Sequence, residues 1–439
     1  MRIPRQFIVV VSATVVSLCC LATEVGAQPV PFQANFGVDQ PITPKGGTTD
    51  EGRFLTESMN GDIIVAGYGA SYYTDAANLV EENPMLARFD RSGQMRWQRI
   101  HTDLSQYRIM ALFSDQNGDF IVLEDIRLLF GRDSFPYYDV ELRRIGDDGD
   151  LSEVVSRINV AYGSDSFEYW DQGSSGVMFP AVTVPGLSAR VAGREEKTLV
   201  GMLSDGTIQT RSRPDEYWPT QYLGDGEMLV RQFIRPVPND DAGENGVAGR
   251  DAQSIAIGGF SGNASEIIYI ETEEPYSSSI NIFATPRAIF LLREYWIRDW
   301  IAQRRGAVSA YSPSGVLLTE TDPFSGERLS HPTATPDGGF VAVGRDPSDG
   351  QALLFEFSPN GDLLWRSGLS TQHDNIRLHD AIVLSDGWLA VTGSPFAGSW
   401  NSETHRWEHG DSWLFGPFER DAFLFVSPRS PAGLASASN

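Results

Sequence analysis

FSPNGDLLW, residues 357–365, reads as the end of one strand, a tight turn and the start of the next strand, with Trp365 four residues after Gly361. A near copy, FDRSGQMRW, occupies residues 89–97 and repeats this spacing between glycine and tryptophan. Glycine adopts positive φ without steric cost, so an Asn-Gly or Ser-Gly pair between apolar runs predicts a two-residue hairpin. The same turn in two distant places indicates an internal repeat.

Apolar runs that follow a glycine-containing turn recur along the whole chain. They begin at Ile63, Phe120, Val177, Met228, Ile280, Phe340 and Trp388. Their spacing is about fifty residues, which is typical of the four-stranded blades of β-propellers. A second glycine turn follows in other units too, as in MLSDGTIQT from Met202. We therefore expect an all-β fold: a seven-bladed β-propeller of four-stranded antiparallel blades.

Two stretches decide how such a ring is closed and counted. PFQANFG, residues 31–37, looks like an orphan strand ahead of the first unit, and pairing it with the last unit would remove an open sheet edge. We expect this N-terminal strand to close the seventh blade; the alternative is residues 433–438. ASEIIYIETEE, from Ala264, fits either the outer strand of the fourth unit or the inner strand of the fifth, and this choice changes the blade count by one.

The N-terminus has the pattern of a secretory signal peptide. Basic residues precede an apolar run from Phe7 to about Ala22, and small residues end at Ala27. We predict a signal peptide over residues 1–27, with cleavage after Ala22 as the alternative, and a single propeller domain over residues 28–439. A membrane anchor is disfavoured because the apolar run is short for a span. The protein is expected to be exported, periplasmic or extracellular, with no membrane insertion after cleavage.

Charge and cysteine content narrow the classes of partner. The chain has 34 Lys and Arg against 58 Asp and Glu, a formal net charge of −24. An acidic surface repels phosphate backbones and anionic lipid, so nucleic acid is not an expected partner. Cationic partners or divalent ions fit such a surface, and a solvated acidic surface that maintains solubility fits it best. Cys19 and Cys20 both lie in the predicted signal peptide, so the mature chain has no disulfide.

The Gly-x-x-x-Trp element and the run DGGFVAVG, residues 337–344, carry a resemblance. They resemble the degenerate repeats of secreted bacterial propellers, including those related to quinoprotein and tryptophan-docking propellers. The resemblance covers most of the mature chain and is specific for the fold. One activity it implies, that of quinoprotein dehydrogenases, uses eight blades and a pair of adjacent active-site cysteines. Seven units and a mature chain without cysteine depart from that pattern.

Long insertions are predicted in the second hairpin of the units, and tight turns in the first and third. One face is therefore trimmed and the other elaborated, and scaffolded loops are where binding usually resides. The insertions concentrate aromatic residues: Tyr72, Tyr73, Tyr137, Tyr138, Trp296, Trp300, Trp400 and Trp407. Aromatic faces beside polar groups bind sugars and peptide side chains, although these residues could equally pack the loops together. The stretch around Trp296, from Thr285, reads either as a helical excursion or as an extended strand.

Catalytic and metal signals are weak. His405, Glu408 and His409 match the H-x-x-E-H spelling of a zinc peptidase class, yet that site needs a helix and this segment lies in a predicted loop. His379 and Asp380 read as polar link residues, since no Ser or Cys is placed with them. We predict no catalytic residue, no cofactor and no metal, and a monomer that binds a protein or carbohydrate ligand. The alternatives are a secreted polysaccharide hydrolase or lyase on a propeller scaffold, and a purely structural envelope scaffold.

Overall fold

A computed structural model describes the larger part of the chain. The described residues are 31–37, 50–74, 79–125, 129–130, 136–161, 167–171, 174–182, 190–191, 194–195, 198–212, 217–224, 227–234, 252–259, 264–271, 277–296, 304–321, 324–325, 329–346, 351–369, 376–395, 399–401, 406–408 and 421–430. The predicted signal peptide, Trp300, His405, His409 and residues 433–438 lie outside them. Within them, secondary structure consists of strands and one 3₁₀ turn, η1 (Thr102–Leu104).

The sheets follow one another along the chain, and every strand pair is antiparallel. After β1 (Phe32–Phe36), sheet 1 contains β2 (Glu51–Glu57), β3 (Ile63–Thr74), β4 (Leu79–Phe89) and β5 (Met95–Ile100). Sheet 2 contains β6 (Tyr107–Asp115), β7 (Gly118–Asp125), β8 (Leu129–Phe130), β9 (Pro136–Ile145) and β10 (Val154–Ala161). Sheet 3 contains β11 (Phe167–Asp171) and β12 (Ser174–Val182), then, after a ribbon of β13 (Arg190–Val191) and β14 (Arg194–Glu195), β15 (Thr198–Leu203) and β16 (Ile208–Ser212).

The second half of the chain continues in the same way. Sheet 4 contains β17 (Tyr217–Gly224), β18 (Glu227–Ile234), β19 (Ala252–Gly259) and β20 (Ala264–Glu271). Sheet 5 contains β21 (Ser277–Ala284), β22 (Ile289–Trp296), β23 (Arg304–Tyr311), β24 (Leu317–Glu320) and β25 (Phe324–Ser325). Sheet 6 contains β26 (Ser330–Ala334), β27 (Phe340–Arg345), β28 (Ala352–Phe357) and β29 (Leu363–Gly368). Sheet 7 contains β30 (Ile376–Val383), β31 (Trp388–Pro395) and β34 (Ala422–Pro428), with a ribbon of β32 (Ser399–Asn401) and β33 (Arg406–Glu408) between the last two.

In sheets 1 to 6 the four main strands are hydrogen-bonded in chain order, and the small strands β8 and β25 add only to β9 and β23. The predicted four-stranded antiparallel meander is therefore confirmed. The protein has a β-propeller-like all-β fold. No helix among the described residues is long and apolar enough to cross a membrane.

The turns that indicated the repeat are three-residue loops, so the predicted two-residue length is wrong. In the first copy, the N–H of Asp90 donates to the carbonyl of Gln94 and the N–H of Gly93 to the carbonyl of Asp90, both at 3.0 Å. Gly93 and Gly361 have φ of 84° and 90°. A type I turn followed by a residue of positive φ is the common three-residue hairpin. The requirement for glycine was thus read correctly from the sequence.

The N-terminal strand belongs to the last sheet. β1 pairs with β34 along its whole length, with Phe36 opposite Ala422, as PFQANFG predicted. Phe36 also packs edge-on against Phe89 of sheet 1, with ring centroids 5.5 Å apart. The first strand of the chain therefore completes sheet 7 and joins it to sheet 1.

The ambiguity between the fourth and fifth units is resolved by strand pairing. β20 pairs with β19, so the stretch from Ala264 is the outer strand of sheet 4. The repeat marker at Ile280 is wrong by one strand, because it lies in the first strand of sheet 5, whereas the other markers lie in second strands. The equivalent position is Ile289, and residues 289–296 are an extended strand rather than a helix.

Apolar side chains fill the spaces between consecutive sheets. Between sheets 5 and 6, the ring centroid of Phe340 lies 4.6 Å from that of Phe357 and 4.7 Å from that of Phe290. Trp97 and Trp365 lie on the fourth strands of sheets 1 and 6, where each packs against a cluster shared with the next sheet. These tryptophans therefore lie beside apolar clusters that join consecutive sheets.

Candidate functional site

The long connections join the second and third strands of each sheet, at what we call the loop end. The opposite end carries the tight glycine turns, which touch one another from sheet to sheet. Glu57 accepts the N–H of Ser385 at 2.6 Å, the Ser58 hydroxyl donates to Asp119 at 2.9 Å, and the Thr285 hydroxyl donates to the carbonyl of Gly338 at 2.7 Å. The predicted division into a trimmed and an elaborated end is therefore present in the described residues.

The predicted aromatic residues lie in strands that lead into these connections. Tyr72 and Tyr73 are near the end of β3, opposite Glu81 and Val80 of β4. Tyr137 and Tyr138 lie near the start of β9, and Trp296 ends β22. Trp400 and Trp407 lie opposite each other in the ribbon β32–β33. The backbone thus brings Trp400 and Trp407 together, and it distributes the other aromatic residues over separate sheets.

The weak metal signals find no support among the described residues. Glu408 ends strand β33, so this part of the H-x-x-E-H spelling is extended rather than helical. Within the described ranges, no three His, Cys, Asp or Glu side chains converge as metal ligands do. Asp115, in the acidic turn DQNGD, accepts hydrogen bonds from the Asn117 N–H at 2.7 Å and the Ser204 hydroxyl at 2.5 Å. Its carboxylate is occupied by turn and inter-sheet contacts.

β-Bulges recur in the first strands of the sheets. The pairing with the second strand skips Arg53 in β2, Met110 in β6, Thr220 in β17, Ser278 in β21, one of His331 and Pro332 in β26, and His379 in β30. A bulge bends its strand and re-aims the extra side chain, and bulges are frequent beside functional sites. In β2 and β30 the bulge lies at the same distance before the following turn, so these re-aimed side chains occupy equivalent places.

Five basic side chains come from the bulged first strands of three consecutive sheets, 6, 7 and 1, or from β27, which pairs with one of these strands. We call the following five residues the basic cluster: Arg53, His331, Arg345, Arg377 and His379. β2, β26 and β30 begin at the loop end and β27 ends there, so all five lie in the half of their strands nearest that end. The spacing of these residues did not predict the cluster, because its members lie far apart in the chain, at residue 53 and at residues 331–379.

His379 is the buried member, with 8 % of its surface exposed. Its Nε2 lies 3.2 Å from the Ser394 hydroxyl. Burial holds the pKa of His379 well below its usual value, and the four other members of the basic cluster lower it further by charge repulsion. The imidazole is therefore neutral at neutral pH and lies among positive charges.

Arg345 and Arg377 bring two like charges close together. Burial lowers the pKa of Arg345 to about 10, and the charge of Arg377 adds to the shift. Arg345 remains protonated at neutral pH, since its pKa is still well above 7. The Arg377 side chain is exposed, whereas Arg345 is half-buried. The pair thus presents positive charge to solvent at the loop end.

Arg53 is held in one orientation by its neighbours. Its Nε lies 2.8 Å from Oε2 of Glu51, and its guanidinium lies over the Tyr68 ring, 4.7 Å from the centroid. The Tyr68 hydroxyl accepts the backbone N–H of Ile109 in sheet 2 at 2.8 Å. Stacking on a ring that is itself anchored to the next sheet fixes the position of the guanidinium, whose side chain is 36 % exposed.

His331 is the one non-glycine residue of positive φ among the described residues, with φ of 49°. Its side chain is exposed at the start of β26. Non-glycine residues in this region carry backbone strain, which persists where the surroundings fix it and is concentrated at functional sites. The backbone strain at His331 is therefore a second, independent indication that the basic cluster has a function.

Asp380 follows His379 and has a structural role. Its carboxylate accepts the backbone N–H of Leu55 in sheet 1 at 2.9 Å and that of Ala381 at 2.8 Å. Burial raises the pKa of Asp380 to about 7, against the opposing effect of these two hydrogen bonds. The interpretation of His379 and Asp380 as link residues is wrong, because both lie inside β30. A His-Asp pair within an apolar strand was the available signal.

Comparison with known proteins gives similarity at the level of fold. No family model and no curated protein matches the sequence. Among solved structures, the polysaccharide lyase Uly1 has a TM-score of 0.45 and 9% identity, over 89% of this chain and 91% of that one. An α-L-arabinanase of Penicillium chrysogenum has a TM-score of 0.36 and 13% identity, over 91% and 97%. The endosialidase of phage phi92 has a TM-score of 0.37 and 9% identity, over 90% and 68%. These are β-propeller-type proteins, and their activities are properties of those proteins.

Proposed function

We propose that this protein is an exported, seven-bladed β-propeller that acts as a ligand-binding module, with its binding site at the loop end. One observation carries the proposal. The end of the sheets that bears the long connections and the Trp400–Trp407 ribbon is also the end where the basic cluster lies. Rigid strands that present polar groups beside aromatic-rich loops form the usual design of a binding site.

The ring is supported by contacts between first strands. β30 contacts β2, β2 contacts β6, β6 contacts β11, β11 contacts β17, β17 contacts β21, and β26 contacts β30. These contacts account for six of the seven junctions that seven blades would need, and sheets 5 and 6 meet through Phe290 and Phe340. β1 completes sheet 7. Export is supported by the signal-peptide pattern of residues 1–27.

A ligand screen with two variants tests the binding module. The secreted chain is heated with soluble neutral and acidic glycans, and separately with calcium and zinc. Trp407→Ala alters the ribbon at the loop end, and Met59→Ala, a side chain 72% exposed at the turn end, is the control. Ligand at about 100 times its Kd stabilises the fold by about 2.7 kcal/mol. We expect a rise in Tm that Met59→Ala keeps and Trp407→Ala loses. No rise with any ligand would retire the binding module for those classes.

A second candidate is a polysaccharide hydrolase or lyase. The observation that favours it is the neutral imidazole of His379 among guanidinium groups, because a neutral imidazole accepts a proton. Binding stands first, since the basic cluster supplies cations rather than the pair of carboxyl groups with which glycosidases work. Prolonged incubation with the same glycans, followed by chromatography of the products, separates the two. Shortened chains with wild type and intact chains with His379→Asn would favour the enzyme.

A further inference from the structure

We infer that the basic cluster is an anion site that receives the carboxylate groups of an acidic sugar chain. The inference rests on the proposed function, because it names the ligand class for the loop end.

The local charge is opposite to that of the whole protein. The chain has a net charge of −24, yet four positive side chains act on His379, of which Arg53 is paired with Glu51. The four come from β2, β26, β27 and β30, and β30 contacts each of the other three strands. A ligand anion at this place is attracted by the nearby positive charges, because salt screens the more distant negative charges of the protein surface.

The members differ in exposure in the way a binding site requires. Arg377 and His331 are exposed and Arg53 is partly exposed, whereas His379 is buried. Arg53 is pre-oriented by Tyr68 and Glu51, so little side-chain entropy is lost when it binds. A guanidinium matches a carboxylate through two parallel hydrogen bonds.

A ligand carboxylate would interact favourably with Arg345 and Arg377. Arg345 is charged although burial and Arg377 both disfavour its charge. A carboxylate near the two guanidinium groups would oppose both effects. The backbone strain at His331, in the neighbouring strand, is further evidence that the fold holds this constellation in place.

A sugar chain fits better than a nucleic acid. A nucleic acid duplex carries one charge per about 1.7 Å of its axis, which the acidic surface repels more strongly than the single charge per sugar of a uronate chain. Sugar faces also stack on aromatic rings. Trp400 and Trp407 are aromatic residues paired in the ribbon β32–β33, within the loop-end connection of sheet 7.

The test compares two oligomers that differ in charge alone. Isothermal titration measures the binding of a galacturonate oligomer and of a galactose oligomer of the same length. Arg377→Gln removes an exposed charge from the basic cluster. Arg96→Gln, in β5, removes an exposed charge elsewhere; its side chain is 53 % exposed. A charged hydrogen bond contributes enough that its loss weakens binding about tenfold or more. We expect wild type and Arg96→Gln to prefer the galacturonate oligomer, and Arg377→Gln to bind it about tenfold more weakly.

Two results would overturn the inference. Equal affinity of wild type for both oligomers would show that charge is not recognised, and equal affinity of Arg377→Gln and Arg96→Gln would place recognition elsewhere. Arg345→Gln is the second cluster variant, and its Tm shows whether a loss of binding is a loss of fold. If both oligomers bind equally and Trp407→Ala abolishes both, the binding module stands and the anion site falls. If neither binds, the anion site is rejected, while the wider screen still decides the binding module.

Discussion

The carboxylate of Asp380 in β30 accepts the backbone N–H of Leu55 in β2 at 2.9 Å. This hydrogen bond joins the last sheet to the first, in the middle of their first strands. Asp380 follows His379 in the chain. The hydrogen bond that joins the two sheets therefore also fixes β30, the strand that carries part of the basic cluster.

Asp380 makes stability depend on pH. Its pKa is raised from 3.8 to about 7, so between these values the folded protein keeps a proton that the unfolded chain releases. Stability from this group is therefore greatest below about pH 4 and declines as pH rises to about 7, by roughly 2 to 4 kcal/mol. Urea unfolding at several pH values measures the slope. We expect Asp380→Asn to lose this part of it, and an unchanged slope would contradict the role of Asp380.

The turn glycine Gly361 is required both by its φ and by a neighbouring sheet. Its φ is 90°, and a Cβ there would lie 2.6 Å from Cβ of Ala310 in sheet 5. Gly387 has φ of 85° with nothing within 4 Å of a Cβ, so it is a matched control. Gly387→Ala should cost about 1 to 2 kcal/mol from backbone strain alone. Gly361→Ala should lower the free energy of unfolding, measured by chemical denaturation, by more than Gly387→Ala does. Equal losses would mean that the two sheets are not in close contact at Gly361.

The aromatic cluster between sheets 5 and 6 should be sensitive to truncation. Phe340 has no exposed surface and stacks on Phe357. Phe340→Ala should lower the free energy of unfolding by about 3 to 5 kcal/mol, because it leaves a cavity. Leu364, 52% exposed on β29, provides the control, and Leu364→Ala should change stability by about 0.5 kcal/mol or less. A small effect at Phe340 would show that the two sheets do not pack as described.

The Tyr68 hydroxyl should matter for stability more than for binding. Tyr68 is 1% exposed, and its hydroxyl accepts the N–H of Ile109. Tyr68→Phe keeps the ring under Arg53 and leaves that buried N–H unpaired, at a cost of about 1 to 3 kcal/mol. Differential scanning calorimetry measures the loss, and titration with the galacturonate oligomer should give an affinity within about twofold of wild type. A large loss of affinity in a folded Tyr68→Phe would mean that the hydroxyl itself contacts ligand.

Much of the fold could be predicted because its signals are local. Glycines of positive φ recur at the turns, and apolar runs recur between them. The sequence signals for each four-stranded unit therefore lie within about fifty residues. The orphan strand at residues 31–37 was also readable, since an unpaired sheet edge must be covered. Two predictions were wrong for local reasons. The hairpin loops have three residues rather than two because a backbone bulge adds one. The run from Ile280 is as apolar as the second strand that follows it, so composition does not distinguish the two strands.

The candidate site could be predicted from the sequence only in part. The sequence placed the aromatic residues in the second-hairpin insertions, and those that the structure describes, all except Trp300, lie in strands at the loop end. Their side-chain arrangement stays a prediction. From net charge, the sequence disfavoured nucleic acid and fitted best with a solvated acidic surface that maintains solubility. The net charge does not show where the basic residues lie in the fold, and nothing in the spacing of Arg53 and Arg377 indicates that both belong to one cluster.

The sequence by itself determined the all-β class, the repeating four-stranded unit, the glycine turns and the strand that completes the last sheet, because each depends on residues close together in the chain or on a sheet edge. Only the tertiary structure decided the basic cluster. Sheets 7 and 1 are joined by β1 and by the bond from Leu55 to Asp380, which brings the two ends of the chain together. Arg53 and His379 are the bulged residues of β2 and β30, and the charges of Arg53, Arg345 and Arg377 all act on His379. Such proximity between distant residues exists only after the chain has folded.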